Sequence, residues 1–429
     1  MRYLLLFLLC LAGCVLGAQT SSALKLKNWE IRPILGFQGW ATYTHGAQVF
    51  DPAANRYVDV DNRLNMMVRR LRFGATAKIG DRFFLKFLGA GDFIGSDQLA
   101  GTIGGVNNGG FPNLQLWDFF AQYRLTPRSD GLYVVGGYLR PTVGRESISG
   151  AFGVSSFEKG FLQWYLRQHL TGTGPGGTGG LYLGGRQDLG QRVHLDYRFG
   201  VWNAQNDGIT TGAVYAPLLT QRVGVAFGDA ERAGWAHGLP AANSFGRRRT
   251  VSVAVSHASE GPTTTALGGI SSIGVDGVVD LGHVHLEGEF HRLRRRAAEA
   301  AGLPDNTSST YLVRAGFNID VSPEGTAADE RRYLEPSLMV YGFNGATTLA
   351  EYQTVLATNY FGATERVTDV GLNYHLRPGK VRIGLHYTTF DGDRGELPET
   401  GRLAWAWMQG GIGGVRRGSY VGFELILNY

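Results

Sequence analysis

Hydrophobic and polar residues alternate along most of this chain with a period of two. The last twelve residues show it best: Val421, Phe423, Leu425, Leu427 and Tyr429 share one parity, while Tyr420, Gly422, Glu424 and Asn428 share the other, with Ile426 as the exception. Successive side chains of a β-strand point to opposite faces, so the pattern predicts one apolar and one polar face. The same alternation predicts about sixteen strands, over 31–44, 64–79, 82–93, 113–125, 131–140, 179–188, 192–203, 220–228, 249–258, 270–281, 283–293, 309–319, 334–343, 365–376, 380–390 and 418–429. Tight turns lie at Ile79-Gly80-Asp81, Pro127–Gly131, Asp188-Leu189-Gly190 and Arg377-Pro378-Gly379, where Gly, Pro and Asp supply the turn dihedrals. These short connections alternate with long ones, although 229–248 and 320–333 fall on the short side and are long.

Short turns at one end and long loops at the other is the layout of a transmembrane antiparallel β-barrel, with the turns periplasmic. In the second strand Leu71, Phe73, Ala75, Ala77 and Ile79 oppose Arg70, Arg72, Thr76 and Lys78. In the seventh, Val193, Leu195, Tyr197, Phe199 and Val201 oppose His194, Asp196 and Arg198. A charge on the lipid face near the midplane costs about 2–4 kcal/mol, so the polar parity is expected to face inward. Arg69 falls on the apolar parity, toward the outer end of its strand, where that cost is small. A barrel of this size encloses an aqueous channel rather than a filled core.

The N-terminus fits export. Arg2, apolar runs over Leu4–Leu9 and Leu11–Leu16, and small Gly17 and Ala18 form a secretory signal peptide, residues 1–18, with cleavage near Ala18. Leu11-Ala12-Gly13-Cys14 also matches a lipoprotein cleavage box, which would retain Cys14 as a lipid-bearing first residue. The barrel domain is then 19–429. Both cysteines, Cys10 and Cys14, precede Ala18, so no disulfide stabilises the exported chain. A closed hydrogen-bond ladder in lipid is expected to do so instead. Gly is abundant at 64 residues, aromatics make up 12% and charged residues 18%, and no long apolar run follows the signal, which excludes helical membrane spans. The net charge of +5 is small, and where the cations sit matters more than their sum.

The longest linker, from Pro141 to Gly179, is the third external one. It carries Arg145, Glu146, Glu158, Lys159, Arg167 and His169 among Phe152, Phe157, Phe161, Trp164 and Tyr165, and ends in a Gly-rich tail, Thr171–Gly180, read as a flexible hinge. Its aromatics argue against disorder, and it is expected to fold inward and narrow the lumen, the alternative being an external loop packed over the mouth. Gly137-Tyr138-Leu139-Arg140-Pro141, then Glu146 and Phe157-Glu158-Lys159, resemble the strand-plus-constriction segment of the phosphate-selective porins of the O and P type. The hairpin from Arg70 to Arg82 and the strand Trp117-Asp118-Phe119-Phe120-Ala121 resemble that family too. The resemblance implies a sixteen-stranded homotrimer passing anions along inward cations. Arg70, Arg72, Lys78 and Arg140 on the wall, with Arg145, Lys159 and Arg167 in the loop, are the positions that could serve in that role, with no one-to-one correspondence to the family's cations. Acidic Asp92, Asp118, Glu146 and Glu158 share the region.

Other constellations carry less. His283, His285, Glu287, Glu289 and His291 share one parity of the eleventh strand, in the manner of divalent-metal ligands. Side chains two apart in a strand are roughly 6.5–7 Å apart, so a wetted lumen stripe is the expected reading. The basic runs 247–249, 294–296, 331–332 and 416–417 sit at segment ends, where they are solvated or touch lipid phosphates rather than nucleic acid. Segment 171–180 lacks the Gly-Lys-Ser/Thr of a phosphate-binding loop, and no Gly-x-Ser-x-Gly elbow occurs. The expected protein is an outer-membrane porin passing small anions, with phosphate among the candidates, by passive diffusion. It needs no catalytic residue, metal or cofactor, and its partners are the bilayer, lipopolysaccharide and further copies of itself. An outer-membrane barrel hydrolase with a wall-mounted Ser–His pair, and a soluble secreted β-rich binding protein, are the alternatives.

Overall fold

The structure, a computed structural model, describes residues 23–97, 99, 113–203, 205, 216–231, 243–263, 267–409 and 413–429. The signal-peptide expectation therefore lies outside the described residues. Sixteen antiparallel strands close into a barrel. They are β1 (Trp29–His45), β2 (Arg63–Ile79), β3 (Phe83–Ile94), β4 (Leu114–Arg124), β5 (Tyr133–Leu139), β6 (Thr178–Asp188), β7 (Val193–Trp202) and β8 (Leu218–Gly228). The second half comprises β9 (Arg249–Glu260), β10 (Leu267–Leu281), β11 (Val284–Ala297), β12 (Asn306–Phe317), β13 (Tyr333–Asn344), β14 (Thr364–Arg377), β15 (Val381–Asp393) and β16 (Ser419–Asn428). Each coincides with one of the segments expected from alternation. Neighbours in sequence are neighbours in the sheet, and β1 pairs with β16 from Gly36↔Asn428 to His45↔Ser419. Leu35 and Tyr429 extend that seam by exchanging two backbone hydrogen bonds of 2.8 and 2.7 Å.

The burial pattern is that of a soluble protein turned inside out. In β9 the side chains of Val251, Val253 and Val255 are exposed, while Thr250, Ser252 and Ser256 are buried. In β16 Val421 and Phe423 are exposed, while Glu424 is buried. With every strand edge paired and the apolar parity outermost, the backbone is satisfied without water, as a lipid environment requires.

Among the described residues, the two long connections at the turn end add no barrel strand. In 229–248, Asn243 donates to Asn318 Oδ1 and Glu335 Oε1 at 2.8 and 2.7 Å, and Phe245 packs on Tyr333 and His375. The described part of that turn thus lies against inward side chains of β13 and β14. In 320–333 a short pairing of Ile319–Asp320 with Tyr333–Leu334 prolongs the hairpin.

Two departures from strict alternation lie side by side. Against β1, Gln38 pairs with Arg70 and Gly39 with Val68, which leaves Arg69 as an extra residue. Opposite it on β3, Phe93 has φ 60, a left-handed value that costs an L residue about 1–2 kcal/mol. On β4, Leu88 pairs with Asp118 and Gly89 with Leu116, which leaves Trp117 extra. Such bulges re-aim side chains. Arg69 and Arg70 are both buried as a result, whereas Leu64, Met66 and Leu71 keep outward positions. The parity expectation for Arg69 is therefore corrected: it does not face lipid.

The third long connection contains α1 (Arg145–Ile148) and α2 (Leu162–Thr171). Helix α2 ends at Gly172, whose φ of 72 is the left-handed cap that glycine adopts without strain. Its buried face, Leu162, Tyr165, Leu166 and Leu170, joins a core with Trp202, Leu312, Tyr341 and Phe343 from the wall, with Tyr165 stacked on Phe343 at 4.0 Å. The Gly-rich tail is not a free hinge: a Cβ at Gly174 would fall 1.8 Å from the Trp164 ring, and one at Gly176 2.6 Å from the Arg167 side chain. A third helix, α3 (Leu349–Ala357), is capped by Thr348, whose side chain accepts from the Glu351 N–H.

Candidate functional site

The inward side chains divide into two walls. On the first, formed by β1 to β5, the bulges gather cations. Arg69 Nε donates to Glu158 Oε2 at 2.6 Å, and its guanidinium lies 3.9 Å over Phe93. Arg70 donates to Gln38 Oε1 at 2.6 Å and to the other Glu158 oxygen. Arg72 pairs with Asp92 at 2.6 Å, and Asp118 accepts from Lys86 at 2.9 Å and from Arg140 at 2.8 Å. Trp117 lies under two guanidiniums, Arg72 at 4.4 Å and Arg140 at 4.8 Å. Opposite them, Lys159 donates to the carbonyls of Glu146 and Ser149, and Arg167 Nε donates to Ser147 Oγ at 3.1 Å.

Between wall and loop runs a cavity of about 410 Å³. Seven cations line it (Arg69, Arg70, Arg72, Lys86, Arg140, Lys159 and Arg167) against two carboxylates, Asp92 and Asp118. Glu158 lies just behind it. Burial alone would raise its carboxyl, but Arg69 and Arg70 hold it below its ordinary value. The cavity therefore keeps an excess of positive charge after every carboxylate beside it is paired.

The second wall, β9 to β16, carries the carboxylates, and these hold the third connection. The backbone N–H of Glu146 donates to Glu289 at 2.6 Å, and that of Phe157 to Asp369 at 3.2 Å. Ser155 Oγ donates to Glu335 at 2.6 Å, and Asn373 donates to the Ser155 carbonyl at 2.6 Å. Arg314 bridges Glu146 and Glu287 at 2.6 and 2.7 Å. The segment also reaches β1, where Phe157 stacks on Trp40 at 4.2 Å and its carbonyl accepts from Gln38.

Of the expected pore residues, Arg70, Arg72, Arg140, Lys159 and Arg167 come together in the cavity. Lys78 does not: it is exposed at the turn end of β2, near Lys25, Lys27, Glu30 and Arg124. Arg145 lies across the barrel, on Glu231 at 2.6 Å and Asp276 at 3.4 Å. Arg69, Lys86 and Trp117 were missed. Lys86 was legible from its parity, whereas Arg69 and Trp117 were concealed by the bulges. In the eleventh-strand stripe, His285 contacts Glu287 at 3.0 Å and His291 contacts Glu289 at 2.7 Å. Among the described residues no three His, Cys, Asp or Glu side chains converge as metal ligands.

A closed sixteen-stranded antiparallel barrel, apolar outside and polar within, is the fold of the outer-membrane porins. Particular solved structures share it. The outer-membrane channel DcaP of Acinetobacter baumannii matches 95% of this chain and 100% of its own, with 11% identity and a TM-score of 0.52. An anion-selective porin from Comamonas acidovorans matches 94% of this chain and 100% of its own, with 12% identity and a TM-score of 0.54. OmpF of Salmonella typhi, in complex with daunomycin, matches 95% and 100%, with 10% identity and a TM-score of 0.52. No family model matches the chain, and no curated protein matches it in sequence.

Proposed function

We propose that this chain is an outer-membrane porin through which small anions diffuse passively. The observation that carries the reading is the cavity beside β1 to β4, with seven cations to two carboxylates in its lining. Such a lining lowers the electrostatic entry cost for an anion and raises it for a cation. Arg70, Arg72, Arg140, Lys159 and Arg167 act along the path, joined by Arg69 and Lys86; Lys78 acts at the turn-end mouth, and Arg145 anchors the loop. The third connection folds into the lumen as the constriction, a reading supported by its bonds to inward side chains of both walls. Phosphate is one candidate solute, and the anion-selective porin among the structural neighbours favours an anionic one. The chain reaches the outer membrane through a cleaved leader, assembles as a homotrimer and meets lipopolysaccharide in the outer leaflet. No reaction, metal or cofactor enters this reading.

The test is single-channel conductance in a planar bilayer, with the reversal potential under a KCl gradient and then with added phosphate. Anion-selective steps blocked by phosphate are expected for a phosphate path, and anion-selective steps without block for a general anion porin. Cation-selective steps, or none from a correctly folded barrel, would overturn the proposal.

A further inference from the structure

The outward face of β11 gathers more charge than that of any other barrel strand among the described residues. Its outward positions read Val284, Leu286, Gly288 and Phe290, then Arg292, Arg294 and Arg296, all three arginines exposed. Lipid-facing positions elsewhere are mostly apolar, with uncharged polar exceptions such as Gln221 and Thr368, and carry at most two charges per strand, near strand ends, as at Arg249, Arg366, Asp391 and Asp393. The three arginines lie at the loop end of β11, about 7 Å apart along the strand. Phe290 and its register partner on β12, Tyr311, lie one outward position below them, two neighbouring aromatics of the kind that form the interfacial girdle of outer-membrane barrels.

The surroundings are polar in the same band. Arg292 pairs across to Ser309 on β12, Arg294 to Thr307 and, on β10, to Ser271, and Ser271 pairs in turn with Ser259 of β9. His257 of β9 is opposite Ile273, the β10 partner of Arg292. Arg294 is shared with Asp305 at 2.8 Å, while Arg292 and Arg296 make no ion pair among the described residues. Stacked guanidiniums on a lipid-facing surface, above two neighbouring aromatics and flanked by hydroxyls, match one environment. They suit the layer where lipid phosphates and sugars meet the hydrocarbon.

We infer that Arg292, Arg294 and Arg296, with Ser271 and Ser309, form a docking surface for the phosphorylated headgroup of an outer-leaflet glycolipid. The inference rests on the outer-membrane reading above and specifies where on the barrel wall that lipid sits. Arginine forks bind phosphate oxygens in pairs, and neighbouring hydroxyls take the sugar.

The test measures retention of bisphosphorylated lipid A by the detergent-purified full barrel, by native mass spectrometry and by titration in nanodiscs. The variants are the triple Arg292→Ser/Arg294→Ser/Arg296→Ser and, at the turn end, Arg331→Ser/Arg332→Ser. A surface arginine beside anionic lipid is worth roughly a fivefold factor, so the triple variant is expected to lose about a hundredfold in affinity. The turn-end variant is expected to bind as the unaltered chain does, and both to keep its conductance. Equal binding by the triple variant and the unaltered chain, or no binding by either, overturns the surface. Full displacement of lipid A by inorganic phosphate would make it a free-phosphate site and overturn the lipid assignment. Absent conductance alongside intact lipid binding would count against the porin reading and leave this surface standing.

Discussion

The two halves of the inner wall use the same residue types to opposite ends. On β1 to β5 the arginines outnumber the carboxylates beside them, and the surplus lines a cavity. On β9 to β16 the carboxylates of Glu287, Glu289, Glu335 and Asp369 are occupied by the third connection, by its backbone N–H groups, by Ser155 and by Arg314 and the histidines around it. A buried carboxylate without partners would be costly, so the loop both needs and satisfies these acids. The difference teaches that selectivity in a mixed-charge lumen depends on which charges remain facing the passage. The composition of the wall is a poor guide to it.

The strongest way to break the comparison is to remove the loop. Deleting 152–170 should raise conductance several-fold and move the reversal potential toward cation preference, because the acids of the second wall then face the passage; unchanged conductance would mean that the loop lies outside the path. Next, Arg70→Glu with Arg72→Glu reverses charge on the first wall alone. At about 10 Å and an effective dielectric near 20, one charge contributes more than 1 kcal/mol, so the anion-to-cation permeability ratio should fall roughly tenfold. A ratio that does not move would take both residues off the path.

Smaller effects sharpen the assignment of the second wall. Glu289→Ala strands the Glu146 N–H and His291, which should cost about 1–3 kcal/mol locally. Faster hydrogen exchange at 145–160 and noisier open-channel current are expected, with the reversal potential nearly unchanged. Protection equal to that of the unaltered protein would remove Glu289 from the anchoring role. Lys78→Gln should change selectivity by less than about twofold, since its charge is exposed at the turn end and screened by salt. A larger change would extend the path to that mouth.

Strand number, order and the inward or outward sense of most side chains were readable from the sequence, because alternation is dictated locally and lipid enforces it. Val251, Val253 and Val255 needed no knowledge of the partner strand. Parity turned Arg70 and Arg72 inward and the loop was expected to add its basic groups, while Arg140, Lys159 and Arg167 were named from the resemblance of their segments to a porin constriction; these five converge, and Lys78 and Arg145 do not. What alternation does not carry is phase: Arg69 and Trp117 sit where an extra residue resets it, and register between strands becomes visible only once they pair. Arg145 shows a second limit. Its place in the loop was evident, but its partner, Glu231, comes from a turn at the other end of the barrel.

The bulges have a consequence for how the chain tolerates being shortened. Val68 pairs with Gly39 and Ile94, and Arg70 with Gln38 and Asp92. Excising Arg69 and Phe93 together would bring Val68 next to Arg70 and Asp92 next to Ile94, leaving all three ladders in step. Excising Trp117 would likewise join Leu116 to Asp118 without displacing either from its partner. These three residues are thus a removable insert: the lipid-facing surface is written the same way with or without them. Only the interior loses a guanidinium and two aromatic rings. The lumen lining can thus change by a two-residue excision, a one-residue excision or both, with the pairing and the outward sequence of these strands unchanged.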